Sequence, residues 1–148
     1  MEPGANTTAP EVRPARPDDV PAILLVWREA DAVATPTDDA EFVERLIARD
    51  QGSLLVAEAD GVLVGTLIAG WDGWRGNLYR LAVAPGHRRR GVGSLLVREA
   101  ERRLRELGAR RISATVIGTE EPAIWFWRSV GYAVDVGVDR FVKDFEPS

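Results

Sequence analysis

The 148-residue chain contains no cysteine, one histidine and one methionine. Without cysteine it forms neither disulfides nor thiolate metal sites, and a reducing compartment suits it. A single imidazole, His87, excludes a multi-histidine centre, so no metal is expected. No apolar run approaches the roughly 20 residues a membrane-spanning helix needs, so no membrane partner is expected. The opening MEPGANTTAPE brings an acid at once and no apolar stretch, unlike a secretory leader. The expectation is a cytoplasmic, soluble protein.

What is present is a globular composition, 45% hydrophobic and 28% charged, in a length that suits one domain with a sizeable core. Residues 1–11, rich in Pro, Gly, Thr and Ala, read as a flexible tail, and 12–148 as a single domain. The net charge of −4 argues against general nucleic-acid affinity. It is unevenly spread. Gly86 to Arg111 holds nine arginines against Glu99, Glu101 and Glu106, a local surplus of six positive charges that leaves the remainder at −10. A basic segment in an acidic protein points to a small anionic ligand rather than a long polyanion.

Periodicity predicts the elements. Val12–Ala15 reads as a short strand. Asp18 is placed to cap a helix that carries Ile23, Leu24, Val26 and Trp27 to about Ala30. Thr35-Pro36-Thr37-Asp38 restarts a helix with Phe42, Val43, Leu46 and Ile47 on one side. Ser53–Glu58 and Val62–Gly70 flank Asp60-Gly61, a hairpin signal, and Asn77–Ala84 adds a third antiparallel strand. Gly91–Leu107 is a long amphipathic helix stopped by Gly108. Arg111–Ile117 is a strand that makes the preceding strand and helix a parallel crossover. Thr119 opens a short helix through Val130, and Tyr132–Val138 with Arg140–Phe145 forms a closing hairpin. The fold class is mixed α/β: a mostly antiparallel, twisted sheet with a central parallel β-α-β crossover and flanking helices.

The chemistry concentrates at LAVAPGHRRRGVGSLL, Leu81–Leu96. Arg88-x-x-Gly91-x-Gly93 lies between a strand and a helix start. There unpaired N–H groups and the helix dipole favour an anion, and glycines allow close backbone approach. Ser94 adds a hydroxyl. Gly86 and Gly91 have Walker spacing, but Val92-Gly93 stand where Lys-Ser/Thr is required. Gly91-Val92-Gly93 lacks the third glycine of a dinucleotide fingerprint. Neither nucleotide family fits.

LAVAPGHRRRGVGSLLVREAERRL resembles the central motif of the GNAT superfamily of acetyl-CoA-dependent N-acetyltransferases. WFWRSVGY (Trp125–Tyr132) is similar to its second motif, and RPARPDDVPAI (Arg13–Ile23) to its N-terminal entry. The likeness runs in order from Val12 to Phe145. It implies the GNAT-like acyl-CoA N-acyltransferase fold, acetyl-CoA as co-substrate, and transfer of acetyl to a primary amine by direct attack. It further implies that Arg88, Arg89, Arg90, Gly91, Val92, Gly93 and Ser94 hold the pyrophosphate. Leu81, Ala82 and Val83 would run along the pantetheine arm, with Trp127 beside the cofactor. The Val83 amide would polarise the thioester carbonyl. The strands at Asn77–Ala84 and Arg111–Ile117 would splay apart to admit the arm.

The chain departs from the family where proton transfer is concerned. The usual tyrosine acid is replaced by Trp127, whose indole N–H donates but does not surrender its proton. Tyr79 stands where many members carry a glutamate base, and Glu120 replaces a frequent asparagine. Tyr79 is the candidate for proton transfer, on the expectation that it shares a strand face with Leu81 and Val83. Trp71 and Trp74 either line an acceptor pocket or cap the core edge. Trp125 and Trp127, two apart on a helix, cannot both face inward. A small-molecule or protein amine is the expected partner, and a homodimer is compatible. The rival reading is a non-catalytic CoA-binding module. A nucleic-acid binder built on the arginines is disfavoured by the acidic remainder.

Overall fold

A computed structural model of the chain describes residues 9–30, 35–116 and 121–146. It divides into two compact units, Met1–Ile117 and Gly118–Ser148.

In the first unit, strand β1 (Glu11–Pro14) is followed by one turn of 3-10 helix at Pro17–Asp19 and by α1 (Val20–Glu29). Asp18 makes no cap there. Asp19 takes the Arg16 N–H at 2.7 Å and both amino groups of Arg13, so β1 and the helix entry are tied by one carboxylate. Helix α2 (Ala40–Arg49) starts at Asp39, whose side chain accepts the Phe42 N–H at 2.9 Å. The expected start at Thr35 is a turn instead, because Asp39 satisfies the first-turn donors.

Strands β2 (Leu54–Ala59), β3 (Val62–Trp71) and β4 (Gly76–Val83) form the antiparallel meander. Helix α3 (Val92–Leu107) then leads to β5 (Ile112–Ala114), parallel to β4. The described sheet has the order β1-β2-β3-β4-β5, so the parallel pair closes one side of it. Asp60 and Gly61, at φ +54° and +80°, make the tight β2–β3 turn, which only left-handed residues allow.

Strand alternation divides the core into two layers. Leu54 and Val56, with Ala82, face Ile23, Val26 and Trp27 of α1 and Val43 and Ile47 of α2. On the other face α3 buries Val92, Leu96, Val97, Ala100 and Leu104. Each valine, leucine or isoleucine among them contributes about 1.5–3 kcal/mol by leaving water. Gly65 and Gly76 admit α3 to the sheet. A Cβ on Gly65 would stand 2.9 Å from Val92 Cγ1, and one on Gly76 2.7 Å from Leu104 Cδ1.

In the second unit α4 (Glu121–Ser129) carries the aromatic motif. Trp127 is buried and meets Tyr132 edge-on at 5.2 Å, while Trp125 is exposed. The closing hairpin expected over Tyr132–Val138 and Arg140–Phe145 does not form, and residues 132–146 hold no strand. A turn at 136–137, with Gly137 at φ +89°, interrupts the first of the two segments. Alternating valines suit a strand, but a strand exists only with a ladder partner. Val136 and Phe141 stand exposed. Ile117 and Thr119 of the sequence reading, Glu120 and the first eight residues of the tail lie outside the described residues.

Candidate active site

Three backbone features at the C-terminal end of β4 build the site. The first is a bulge. Thr66 pairs with Ala82 and Ile68 with Tyr79, so Leu67 alone faces both Arg80 and Leu81. Arg80 takes φ +55° to make it. Since cross-strand partners share a face, the bulge puts Tyr79 on the α1/α2 side with Thr66, Ile68 and Ala82. Val83, paired with Gly65, lies on the α3 side. The expectation that Tyr79 and Val83 share a face is therefore corrected: strict alternation does not survive an extra residue. Tyr79 is 40% exposed, with its ring edge over Gly70.

The second feature is a gap. Pairing of β4 with β5 spans only Gly76–Ile112, Asn77–Ser113 and Leu78–Ala114, then ends with Thr115 donating to the Leu78 carbonyl at 3.0 Å. From Leu81 to Val83, β4 continues without a β5 partner among the described residues. Ala84 donates to Val64 at 2.8 Å, which makes Gly65–Val83 a non-hydrogen-bonded pair. The N–H and C=O of Val83 thus point away from β3, into the unpaired edge. Arg88 Nε meets that carbonyl at 3.3 Å.

The third feature is the loop itself. A 3-10 turn at Pro85–His87 leads to Arg89 at φ +65° and Gly91 at φ +79°. Gly91 is the N-cap of α3, with no side-chain hydrogen bond to the first turn. Leu95 N–H already bonds Gly91 O at 3.0 Å. The N–H groups of Val92, Gly93 and Ser94 therefore remain at an uncapped helix start, with the dipole's positive end behind them. A Cβ at Gly91 would meet nothing within 4 Å, so the space over this turn is open. Val92 is different in its side chain, which is buried in the core.

Electrostatics separate these arginines from the others. Arg102 pairs with Glu99 and Glu106, and Arg103 with Asp50. The carboxylates beside Arg102 raise its pKa, the Glu99 hydrogen bond first. Arg88, Arg89 and Arg90 are exposed and have no carboxylate partner among the described residues. Three arginines without a carboxylate partner thus immediately precede an uncapped helix start, which suits a polyanionic phosphate ligand. A cavity of about 540 Å³ adjoins this loop, between Leu25 and Glu29 of α1 and Pro85 to His87.

Other expected residues fall elsewhere. Ala82 turns its methyl into the α1/α2 core, and in the pair next to Gly65–Val83 its backbone faces β3 rather than the open edge. Trp127 belongs to the second unit. Trp71 lies against Gly108, at the C-terminal end of α3, some 24 Å along that 16-residue helix from the loop. Trp74 is exposed, with Arg75 stacked 4.1 Å from its ring centre. No group of His, Cys, Asp and Glu among the described residues is arranged to hold a metal. Among them, too, no helix is long and apolar enough to cross a membrane.

Sequence reasoning passed over Arg80, Thr66 and Trp27. Trp27 Nε1 donates to Thr66 Oγ1 at 2.9 Å, and Thr66 Oγ1 donates to the Arg80 carbonyl at 2.9 Å. The Arg80 guanidinium lies 5.3 Å from the Trp27 ring centre and pairs with Asp38. A signal was present in LYRLAV. Simple alternation would align Arg80 with buried Leu78 and Ala82, a conflict that a bulge removes.

This arrangement, a bulged strand run into a glycine-led helix start with a parallel neighbour beyond the helix, belongs to a mixed α/β acetyltransferase fold. The acetyltransferase (GNAT) family matches residues 22–132, and the chain belongs to that family. It is 31% identical over 140 residues to acetyltransferase SG1711 of Sodalis glossinidius (strain morsitans), covering 92% of this chain and 99% of the relative. Ard1 of Thermoplasma volcanium is similar in fold, with a TM-score of 0.78 at 20% identity over 87% of this chain and 86% of that one. So is the PaiA N-acetyltransferase of Thermoplasma acidophilum, solved with coenzyme A, with a TM-score of 0.77 at 20% identity over 86% and 92% of the two chains. The protein is an acetyl-CoA-dependent acetyltransferase.

Proposed function

We propose that the protein transfers acetyl from acetyl-CoA to an amine by direct attack. The observation that carries this reading is the uncapped start of α3, left-handed at Gly91 and directly preceded by Arg88, Arg89 and Arg90, which have no carboxylate partner among the described residues. The N–H groups of Val92, Gly93 and Ser94, with Arg89 and Arg90, hold the pyrophosphate. The free edge from Leu81 through Ala82 to Val83 takes the pantetheine amides as a neighbouring strand would. Acetyl-CoA, when bound, supplies the acetyl group as an activated thioester. The outward N–H of Val83 is the donor to the thioester carbonyl. Tyr79 handles a proton from the α1/α2 side, since Trp127 cannot act as an acid. The acceptor is a primary amine, small-molecule or protein; the −10 balance outside the basic segment favours one that is cationic in solution.

Thiol release from acetyl-CoA is the test, with spermidine, free lysine, a peptide N-terminus and an aminoglycoside as acceptors. Release above the hydrolytic background with at least one supports the reading. CoA binding without release for any of them overturns acetyl transfer.

A further inference from the structure

Arg80 is joined to three parts of the first unit. Its carbonyl accepts from Thr66 in β3, which is itself engaged by the Trp27 indole of α1. Its guanidinium covers the Trp27 ring and pairs with Asp38. Asp38 also holds the connection that precedes α2: its carboxylate takes the Thr35 N–H at 2.7 Å, and its own N–H donates to the Thr35 carbonyl at 3.0 Å. The side chains of Arg80 and Asp38 are only 11% and 15% exposed, so water screens this pair poorly.

Two features make these contacts more than packing. Arg80 sits at φ +55°, a conformation glycine takes freely and arginine resists. An arginine persists there when its side chain does something glycine cannot. The residue also stands directly before the unpaired edge at Leu81–Val83, so any slip of the bulge moves that edge by a residue and reverses its faces.

We infer that Arg80 is a positioning residue for acetyl transfer: through Asp38 it fastens the α1–α2 connection at Thr35–Asp39 to the bulge of β4 and so fixes the Leu81–Val83 edge. This rests on the function proposed above. Arg80 acts through the strand edge and takes no proton.

The test compares Arg80→Gly, Arg80→Lys and Asp38→Asn with the wild type. Glycine keeps the bulge without strain and removes the clamp, so folding is preserved. Hydrogen exchange of residues 35–39 and the Trp27 indole N–H resonance are followed without ligand. CoA affinity is measured by calorimetry, and kcat by thiol release. In Arg80→Gly and Asp38→Asn, exchange at 35–39 speeds up at least tenfold and the Trp27 resonance shifts. CoA affinity falls severalfold, because the edge also takes the pantetheine arm, and kcat falls about tenfold. Arg80→Lys, which keeps the charge, lies closer to wild type. Wild-type exchange and an unmoved Trp27 resonance in Arg80→Gly overturn the inference, as does undiminished kcat. A wild type that releases no thiol with any acceptor instead overturns the proposed function and leaves the exchange measurement to decide the clamp.

Discussion

The indole N–H of Trp27 donates to the hydroxyl of Thr66 at 2.9 Å across the interface of α1 and β3, and neither group reaches water. The same hydroxyl donates its own hydrogen bond to the carbonyl of Arg80. One buried oxygen thus satisfies a helix side chain and a strand bulge together. Thr66→Val keeps the volume but takes the hydroxyl from the Arg80 carbonyl and from the buried Trp27 indole N–H, the latter alone at a cost of about 1–3 kcal/mol. Thr66→Ser keeps the hydroxyl and should lose less. Urea titrations of the two variants check this order.

Gly65 is where α3 comes closest to the sheet. Its missing side chain is filled by Val92 and Leu96, with Ala82 O 3.3 Å from an added Cβ. Gly65→Ala should push the first turn of α3 outward, destabilise the domain by about 1–3 kcal/mol and weaken CoA binding in parallel. Thermal unfolding with and without CoA reads both effects.

The carboxyl of Asp19 is held below its ordinary pKa, first by the hydrogen bond from Arg13. A depressed folded pKa stabilises the protein above the unfolded value, near 4, and that contribution is lost as pH falls through the folded pKa. Asp19→Asn should therefore lower stability at neutral pH by roughly 1–2 kcal/mol. Its deficit should shrink below about pH 4. Unfolding midpoints between neutral and acid pH show whether the two curves converge.

Tyr79→Phe isolates one hydroxyl. If that group carries the amine's proton, kcat falls more than KM rises and the alkaline limb of the pH–rate profile moves. An unchanged profile removes Tyr79 from the chemistry.

Much of the first unit was legible in the sequence because it follows period. Val92, Leu96, Ala100 and Leu104 repeat at helical spacing and are buried together, and Asp60-Gly61 makes its turn where the dipeptide requires it. Helix starts were less legible. Asp18, Asp19, Asp38 and Asp39 are equivalent as letters, and only contacts with Arg13, Phe42 and Arg80 assign their work. The bulge left only the misfit of Arg80 between Leu78 and Ala82 as its signal, because alternation is read residue by residue, whereas a bulge is a property of two strands. The C-terminal valines show the converse, a strand pattern without a ladder. At the start of α3, Gly91 takes the left-handed N-cap conformation that a glycine ahead of an amphipathic helix allows.

The central claim is that backbone amides at the start of α3 receive the CoA pyrophosphate. It is tested most directly by following amide resonances during titration with CoA, in the wild type and in Gly91→Val. The account predicts that Val92, Gly93 and Ser94 shift most in the wild type. In Gly91→Val, where a branched residue must adopt φ +79°, affinity should drop at least tenfold while the domain stays folded. Largest shifts elsewhere, or equal affinity in the two proteins, would contradict it.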